Sequence, residues 1–230
     1  MDLIALDFET ANSLPGSACS FGVAVFRNGK LRQCAERLIL PHATRRFIPA
    51  FYTSIHGIRM EDVADAPEFP YYAETLFSIL ESGLVLAHNA AFDMGVLRSL
   101  CELYHLRSPE IRYLCTCKAA RRFWRGMENY KLDTLCRKIG HSFRHHDARE
   151  DAAAAGFVYL AMLRESGCST DEEFAEQLRI RPGILSKGGD LPCLALPQPH
   201  SRKKPVRTGT ARKKNPEDAA ENCTPSPERP

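Results

Sequence analysis

Apolar and polar positions at the start of the chain specify strands. Residues 2–8 (DLIALDF) form a short, nearly continuous apolar run, the mark of a buried strand. SFGVAVFR and LRQCAERLIL follow, separated by Asn28–Gly29, a dipeptide that tolerates left-handed backbone and so favours a tight hairpin. Phe21, Val23 and Val25 recur at every second residue, which turns one face of that strand to a core. Three antiparallel strands are the simplest reading.

Residues 41–60, with HGI at 56–58, keep neither period and read as irregular. A helical period then takes over. It predicts a helix from about Pro67 to Ser82, with Leu76, Ile79 and Leu80 on one face and Gly83 ending it. LVLAHN (84–89) is a short strand, and AFDMGVLRSLCELYHL (91–106) is a helix with Phe92, Val96, Leu100 and Leu103 on one side. IRYLCTC reads as another strand, KLDTLCRKIG as a helix closed by Gly140, and REDAAAAGFVYLAMLRESG as a long helix closed by Gly167. A short helix near 171–178 follows. This order predicts an α/β domain with a mixed five-stranded sheet, three antiparallel strands and then two parallel ones, flanked by helices.

The character changes near residue 181. Nine of the fifteen prolines lie at or beyond position 182, and no aromatic follows Phe174. Residues 198–230 have too little apolar area to offset the entropy of ordering and are expected to be disordered. That segment holds eight Lys/Arg and four Asp/Glu, leaving 23 bases and 24 acids in residues 1–197. The expected layout is a domain over 1–165, a short, partly helical extension over 166–197, and a basic, Pro-rich tail over 198–230.

Composition narrows the class. At 44% hydrophobic the chain can bury a core, and no apolar run is long enough to span a bilayer. The N-terminal MDLIALDFET lacks the basic segment of a secretory leader. The nine cysteines are an odd number without a CxxC pair, which points to reduced thiols in the cytoplasm rather than a disulfide framework or structural zinc.

Three acidic elements carry the candidate chemistry. Asp7 and Glu9 stand at i and i+2 of the first strand and share one face. No Lys or Arg lies in that strand, so a hard divalent cation is the natural partner for two such anions. Asp93, in HNAAFD (88–93), falls in the first turn of a helix after a parallel strand, where ligands of α/β sheets gather. Asp151, in HHDAREDA (145–152), opens a helix whose run Ala152–Ala155 lets it approach a sheet closely. Brought together, the four acids could hold two metal ions for in-line phosphodiester cleavage. His146 could then take a proton from the attacking water. Taken singly, Asp7 and Glu9 read better as solvent-facing acids at a strand end and Asp93 as a helix-dipole partner, and Asp151 is as readily a dipole partner as a ligand.

DFET (7–10), HNAAFD (88–93) and HDAREDA (146–152) resemble the three motifs of the DnaQ-like (DEDDh) 3′–5′ exonuclease family, which includes the proofreading epsilon subunit of bacterial DNA polymerase III. The resemblance covers roughly residues 1–165. Its histidine-to-aspartate spacing selects His146 over His145, which reads as exposed. The resemblance implies a ribonuclease H-like fold and two Mg²⁺ or Mn²⁺ ions. Asp7 would bridge them, Glu9 and Asp151 would hold the catalytic ion, and Asp93 would hold the second through water. It also implies substrate contacts from Thr10, His56 and Asn89. Phe92 could stack on the terminal nucleotide, although packing into the helix core is the simpler reading. His88, like Asn89, reads as a structural hydrogen-bonder. Ala11 and Asn12 stand where many proofreading members have other residues, and could change how the terminal base is wedged.

The implied partner is nucleic acid with a free 3′ end, DNA in preference to RNA, in replication proofreading or repair, with a polymerase as a further partner and no membrane. The alternatives are an exoribonuclease and a noncatalytic binding module on the same fold. The second is weakened by the presence of every acid and the histidine. RRFWRG (121–126) could stack on single strands, but reads better as an amphipathic helix end with Phe123 and Trp124 on the core.

Overall fold

A computed structural model describes residues 2–197; Met1 and residues 198–230, with the expected disordered tail and Cys223, lie outside the described residues. Three strands open the chain: β1 (Asp2–Thr10), β2 (Ala18–Arg27) and β3 (Lys30–Leu38). Both junctions are antiparallel. Asn28 and Gly29 turn the second hairpin with φ of 52° and 71°, the left-handed pair such a turn needs. A 3₁₀ turn (Ala43–Arg45), α1 (Ala50–His56) and α2 (Met60–Val63) follow. The region expected to be irregular therefore contains two short helices. Neither spans enough turns for a 3.6 period to show in the sequence.

The chain continues through α3 (Pro70–Leu80), β4 (Leu84–Ala87), α4 (Ala91–Leu103), β5 (Ile111–Cys115), α5 (Thr116–Phe123), α6 (Leu132–Lys138), α7 (Ala148–Ser166) and α8 (Asp171–Gln177). Short strands β6 (Ile180–Arg181), β7 (Gly183–Leu185) and β8 (Leu194–Ala195) complete it. The main sheet runs β3-β2-β1-β4-β5-β7. The expected five strands are present, with β4 parallel to β1 and β5 parallel to β4. A sixth, β7, lies antiparallel on β5, pairing Leu185 with Ile111. Three residues (GIL) are too few to show alternation, so periodicity gives no sign of this strand. The extension after residue 165 is thus built into the sheet, and its Phe174, Leu178 and Ile180 are buried.

Two further expectations are corrected. IRYLCTC is strand only to Cys115, and α5 begins at once at Thr116. Gly83 does not cap α3, which ends at Leu80 with Glu81 as its cap. Gly83 is there because a Cβ would come within 2.4 Å of the Asp2 carbonyl oxygen. Gly140 and Gly167 do take the left-handed conformation expected of helix ends.

Helix α7 decides where the site forms. Its small residues Ala152, Ala154, Ala155 and Gly156 are buried, and it lies against β1, β2 and β3. At Gly22 of β2 the approach is so close that a Cβ would stand 1.9 Å from the Ala148 carbonyl oxygen. That closeness brings the first turn of α7 to the end of β1.

Candidate active site

The site begins where β4 stops. Pairing between β1 and β4 extends only to Ala5–Leu86, so the end of β1 runs on without a neighbour on that side. Asp7 and Glu9 project from one face, while Phe8, 2% exposed, enters the core. The Phe8 N–H donates to Asp93 Oδ1 at 3.1 Å. Asp93 comes from the first turn of α4 and is 1% exposed; its Oδ2 is buried with no partner among the described residues.

The N-terminus of α7 divides its acids by task. Asp147 caps the helix by accepting from the Glu150 N–H at 3.2 Å, the usual role of a capping acid. Glu150 accepts from the Arg144 N–H at 2.7 Å. Asp151 turns to the cleft. Its Oδ2 accepts from the His146 N–H at 2.6 Å, and its Oδ1 from His145 Nδ1 at 2.7 Å. His145 is exposed as expected, yet it contacts the site. His146 has φ of 66°, which places its Nδ1 3.8 Å from Glu9 Oε1. The two imidazoles stack with centroids 4.0 Å apart.

One oxygen each of Asp7, Glu9 and Asp151 lies within 4.8 Å of the others, near enough to share a cation. Asp93 is outside that trio but adds to its field. Burial, then Asp93, Asp151 and Glu9, raise the Asp7 carboxyl well above its ordinary range. Burial, then Asp151 and Asp93, push Glu9 up to about 8. Asp93 is raised to about 7, chiefly by burial, and burial also raises Asp151. Burial has removed water from these acids, and no Lys or Arg among the described residues pairs with them, so the donor set fits divalent cations that prefer oxygen.

The acids open onto a cavity of about 990 Å³ that Arg121, Tyr130 and Lys131 also line. The Arg121 guanidinium sits 5.1 Å from the Tyr130 ring centroid. His88 braces this wall as a structural hydrogen-bonder. Its Nε2–H donates to the Tyr130 carbonyl at 3.0 Å. Burial lowers its pKa to about 4, so the neutral ring accepts at Nδ1 from the Thr116 hydroxyl at 2.9 Å. In the RRFWRG cluster, Trp124 is buried and its Nε1 donates to Glu165 at 2.7 Å, while Phe123 packs on Phe174. Arg121 alone of that cluster turns to the cavity. Sequence reasoning treats the six residues as one amphipathic unit and misses it; the only signal is its place at the opposite edge of a helix whose aromatics go inward.

The four expected substrate contacts, Thr10, His56, Asn89 and Phe92, all line the cavity. The His56 ring is already engaged. Its Nδ1 accepts from the Ile58 N–H at 3.0 Å and its Nε2–H donates to the Thr10 carbonyl at 3.2 Å. Burial lowers its pKa and keeps it neutral. Asn89 has φ of 69°, and its side chain has no hydrogen-bond partner among the described residues; its part in the fold is through its backbone carbonyl, which accepts from the Phe92 N–H at 2.9 Å. Phe92 does not pack into the core, being 46% exposed, because its place in the first turn of α4 puts it past the end of β4. Asn12 does not face the cavity. It is 3% exposed, and its amide donates to the Arg45 and Phe47 carbonyls at 2.9 and 2.8 Å.

A mixed-sheet α/β domain with carboxylates converging at the ends of β1, α4 and α7 defines a class of phosphodiester-cleaving enzymes. The exonuclease family model RNase_T matches residues 4–159. The chain belongs to that family, and this segment is its exonuclease domain. The 3′-5′ exonuclease DinG of Bacillus subtilis (strain 168) is 27% identical over 168 residues, covering 70% of this chain and 18% of the relative. DNA polymerase III subunit epsilon of Buchnera aphidicola subsp. Schizaphis graminum (strain Sg) is 33% identical over 124 residues, covering 51% of this chain and 53% of the relative. The chain thus spans only part of the length of these relatives. The solved structure of exonuclease X in complex with 5′ overhanging duplex DNA is 26% identical with a TM-score of 0.62, covering 76% of this chain and 99% of that one. No helix among the described residues is long and apolar enough to cross a membrane.

Proposed function

We propose that this protein is a two-metal-ion 3′–5′ exonuclease that removes nucleoside 5′-monophosphates from single-stranded or frayed 3′ ends of DNA. The observation that carries the reading is the trio Asp7, Glu9 and Asp151 within 4.8 Å, with the His146 imidazole 3.8 Å from Glu9. Asp7, Glu9 and Asp151 would hold the Mg²⁺ or Mn²⁺ ions, with Asp7 shared between them, and Asp93, whose buried Oδ2 is unpartnered, would complete the set. When bound, such ions activate water and neutralise charge on the scissile phosphate. His146 accepts the proton of the attacking water at a ring nitrogen. Its lowered pKa, set by burial and then by His145 and His56, keeps that nitrogen free at neutral pH. Thr10, Asn89 and Phe92 receive the terminal nucleotide, and His56 fixes the Thr10 backbone beside it. The exposed Arg121 and Lys131 attract the phosphate that follows.

The relation to exonuclease X, solved with DNA, and to DNA polymerase III subunit epsilon supports DNA over RNA and a setting in replication proofreading or repair beside a polymerase. The test is a panel of end-labelled single-stranded, frayed and mismatched DNA, with matching RNA, in Mg²⁺, Mn²⁺ or EDTA. Stepwise loss of mononucleotides from DNA 3′ ends, abolished by EDTA, is expected. Cleavage that survives EDTA overturns the metal mechanism, and faster loss from RNA overturns the substrate.

A further inference from the structure

We propose that His145, His146 and Asp151 form a second cation site, of mixed imidazole and carboxylate character, that takes a borderline d-block ion such as Zn²⁺ and thereby shuts the exonuclease centre. The inference rests on the exonuclease reading for its consequence, not for the site itself. One nitrogen from each histidine and one Asp151 oxygen lie within 4.8 Å of one another. Asp151 also belongs to the trio with Asp7 and Glu9, so one carboxylate serves two sites with different donors.

The geometry is close to a ligand set already. Asp151 is held by the His146 N–H at one oxygen and by His145 Nδ1 at the other, so the carboxylate is aimed before any ion arrives. His145 Nδ1 lies 2.7 Å from Asp151 Oδ1, with a proton between them. Tetrahedral Zn²⁺, with bonds near 2.0–2.2 Å, separates its donor atoms by roughly 3.4 Å. Replacing the shared proton with the ion therefore opens this pair by less than an ångström. Both rings are reachable from solvent: their side chains are 43% and 41% exposed.

Donor chemistry separates the two sites. Oxygen-only sets suit Mg²⁺ and Mn²⁺, whereas imidazole favours Zn²⁺, Ni²⁺ or Cu²⁺. An ion on His145, His146 and Asp151 takes the lone pair that His146 needs for proton transfer and draws Asp151 from the oxygen trio. Zn²⁺ would then inhibit even when Mg²⁺ is saturating. The doubled histidine makes this possible, since the exonuclease motif uses His146 alone.

The test titrates Zn²⁺ into the full-length protein in saturating Mg²⁺, reading binding by competition with a chromophoric chelator and, separately, nuclease rate. His145→Gln is expected to weaken Zn²⁺ binding roughly tenfold or more and to raise the inhibitory Zn²⁺ concentration by the same factor, relative to its own uninhibited rate. Asp7→Asn, which disrupts only the oxygen trio, is expected to leave Zn²⁺ binding nearly unchanged. Undiminished Zn²⁺ affinity in His145→Gln overturns the proposal, as does loss of Zn²⁺ binding in Asp7→Asn. If no nuclease activity appears in Mg²⁺, the exonuclease reading fails, and the chelator competition still decides the site.

Discussion

The two walls of the cleft are built on opposite principles. The acidic wall comes from the end of β1 and the first turns of α4 and α7, and its groups are held by backbone donors: Phe8 N–H on Asp93, His146 N–H on Asp151. The other wall presents Arg121 and Lys131, both exposed side chains. Burial raises the pKa of every acid on the first wall, so the ionised cluster is held in place at a cost to stability. The second wall costs almost nothing to maintain. One wall is preorganised for cations, and the other is adaptable to a polyanion.

Breaking the acidic wall should have the largest effect. Asp7→Asn is expected to reduce mononucleotide release to background. The same change should raise the melting temperature of the metal-free protein, because a buried anion short of counter-charge is removed. A variant that melts lower in EDTA would show that Asp7 is not under the strain described. His146→Ala should slow turnover by about 10²–10⁴-fold, the range for a lost general base, while Mn²⁺ affinity measured by calorimetry stays close to wild type. A wild-type rate would move the base to His145.

A subtler contrast lies in pH. Asp7, Glu9, Asp93 and Asp151 bind protons more tightly folded than unfolded. Their contribution is therefore most favourable below the unfolded carboxylate range near pH 4 and is lost as pH rises through the folded values, about 7 for Asp93 and about 8 for Glu9. Denaturant melts in EDTA should lose roughly a few kcal/mol between about pH 5 and 8, at about 1.4 kcal/mol for each tenfold difference in proton affinity between the folded and unfolded chain. Mg²⁺ should restore most at the alkaline end. A flat profile in EDTA would remove the electrostatic account of the wall.

The smallest effect belongs to the second wall. Arg121→Ala should raise KM several-fold for oligonucleotides, more at low salt, and leave kcat nearly unchanged. An equal fall in kcat would place Arg121 at the reacting phosphate instead.

Much of the site is legible in the sequence because it is local. Asp7 and Glu9 have to share a face, whatever β1 packs against. The Ala152–Ala155 run announces a helix able to lie close to a sheet, and α7 does so. What is not legible lacks a period or depends on a partner far along the chain. Strand β7 is three residues long. Phe92 has the spacing of a core residue but emerges where β4 has already ended. Asn12 sits beside the acidic motif yet is consumed by the Arg45 and Phe47 carbonyls.

The residue order alone determined the alternation that makes each strand, the turn at Asn28–Gly29, and the position of every acid within its own element, because strand and helix periods are set by backbone geometry. Tertiary structure decided which groups meet: that Asp93 accepts from Phe8, that Asp151 is shared with His145, that Arg121 lines the cavity with the acids while Trp124 is buried. The longest of those pairings spans 85 residues, and the place of Asp151 depends on how closely α7 can approach β2 at Gly22, a packing distance that no local pattern encodes.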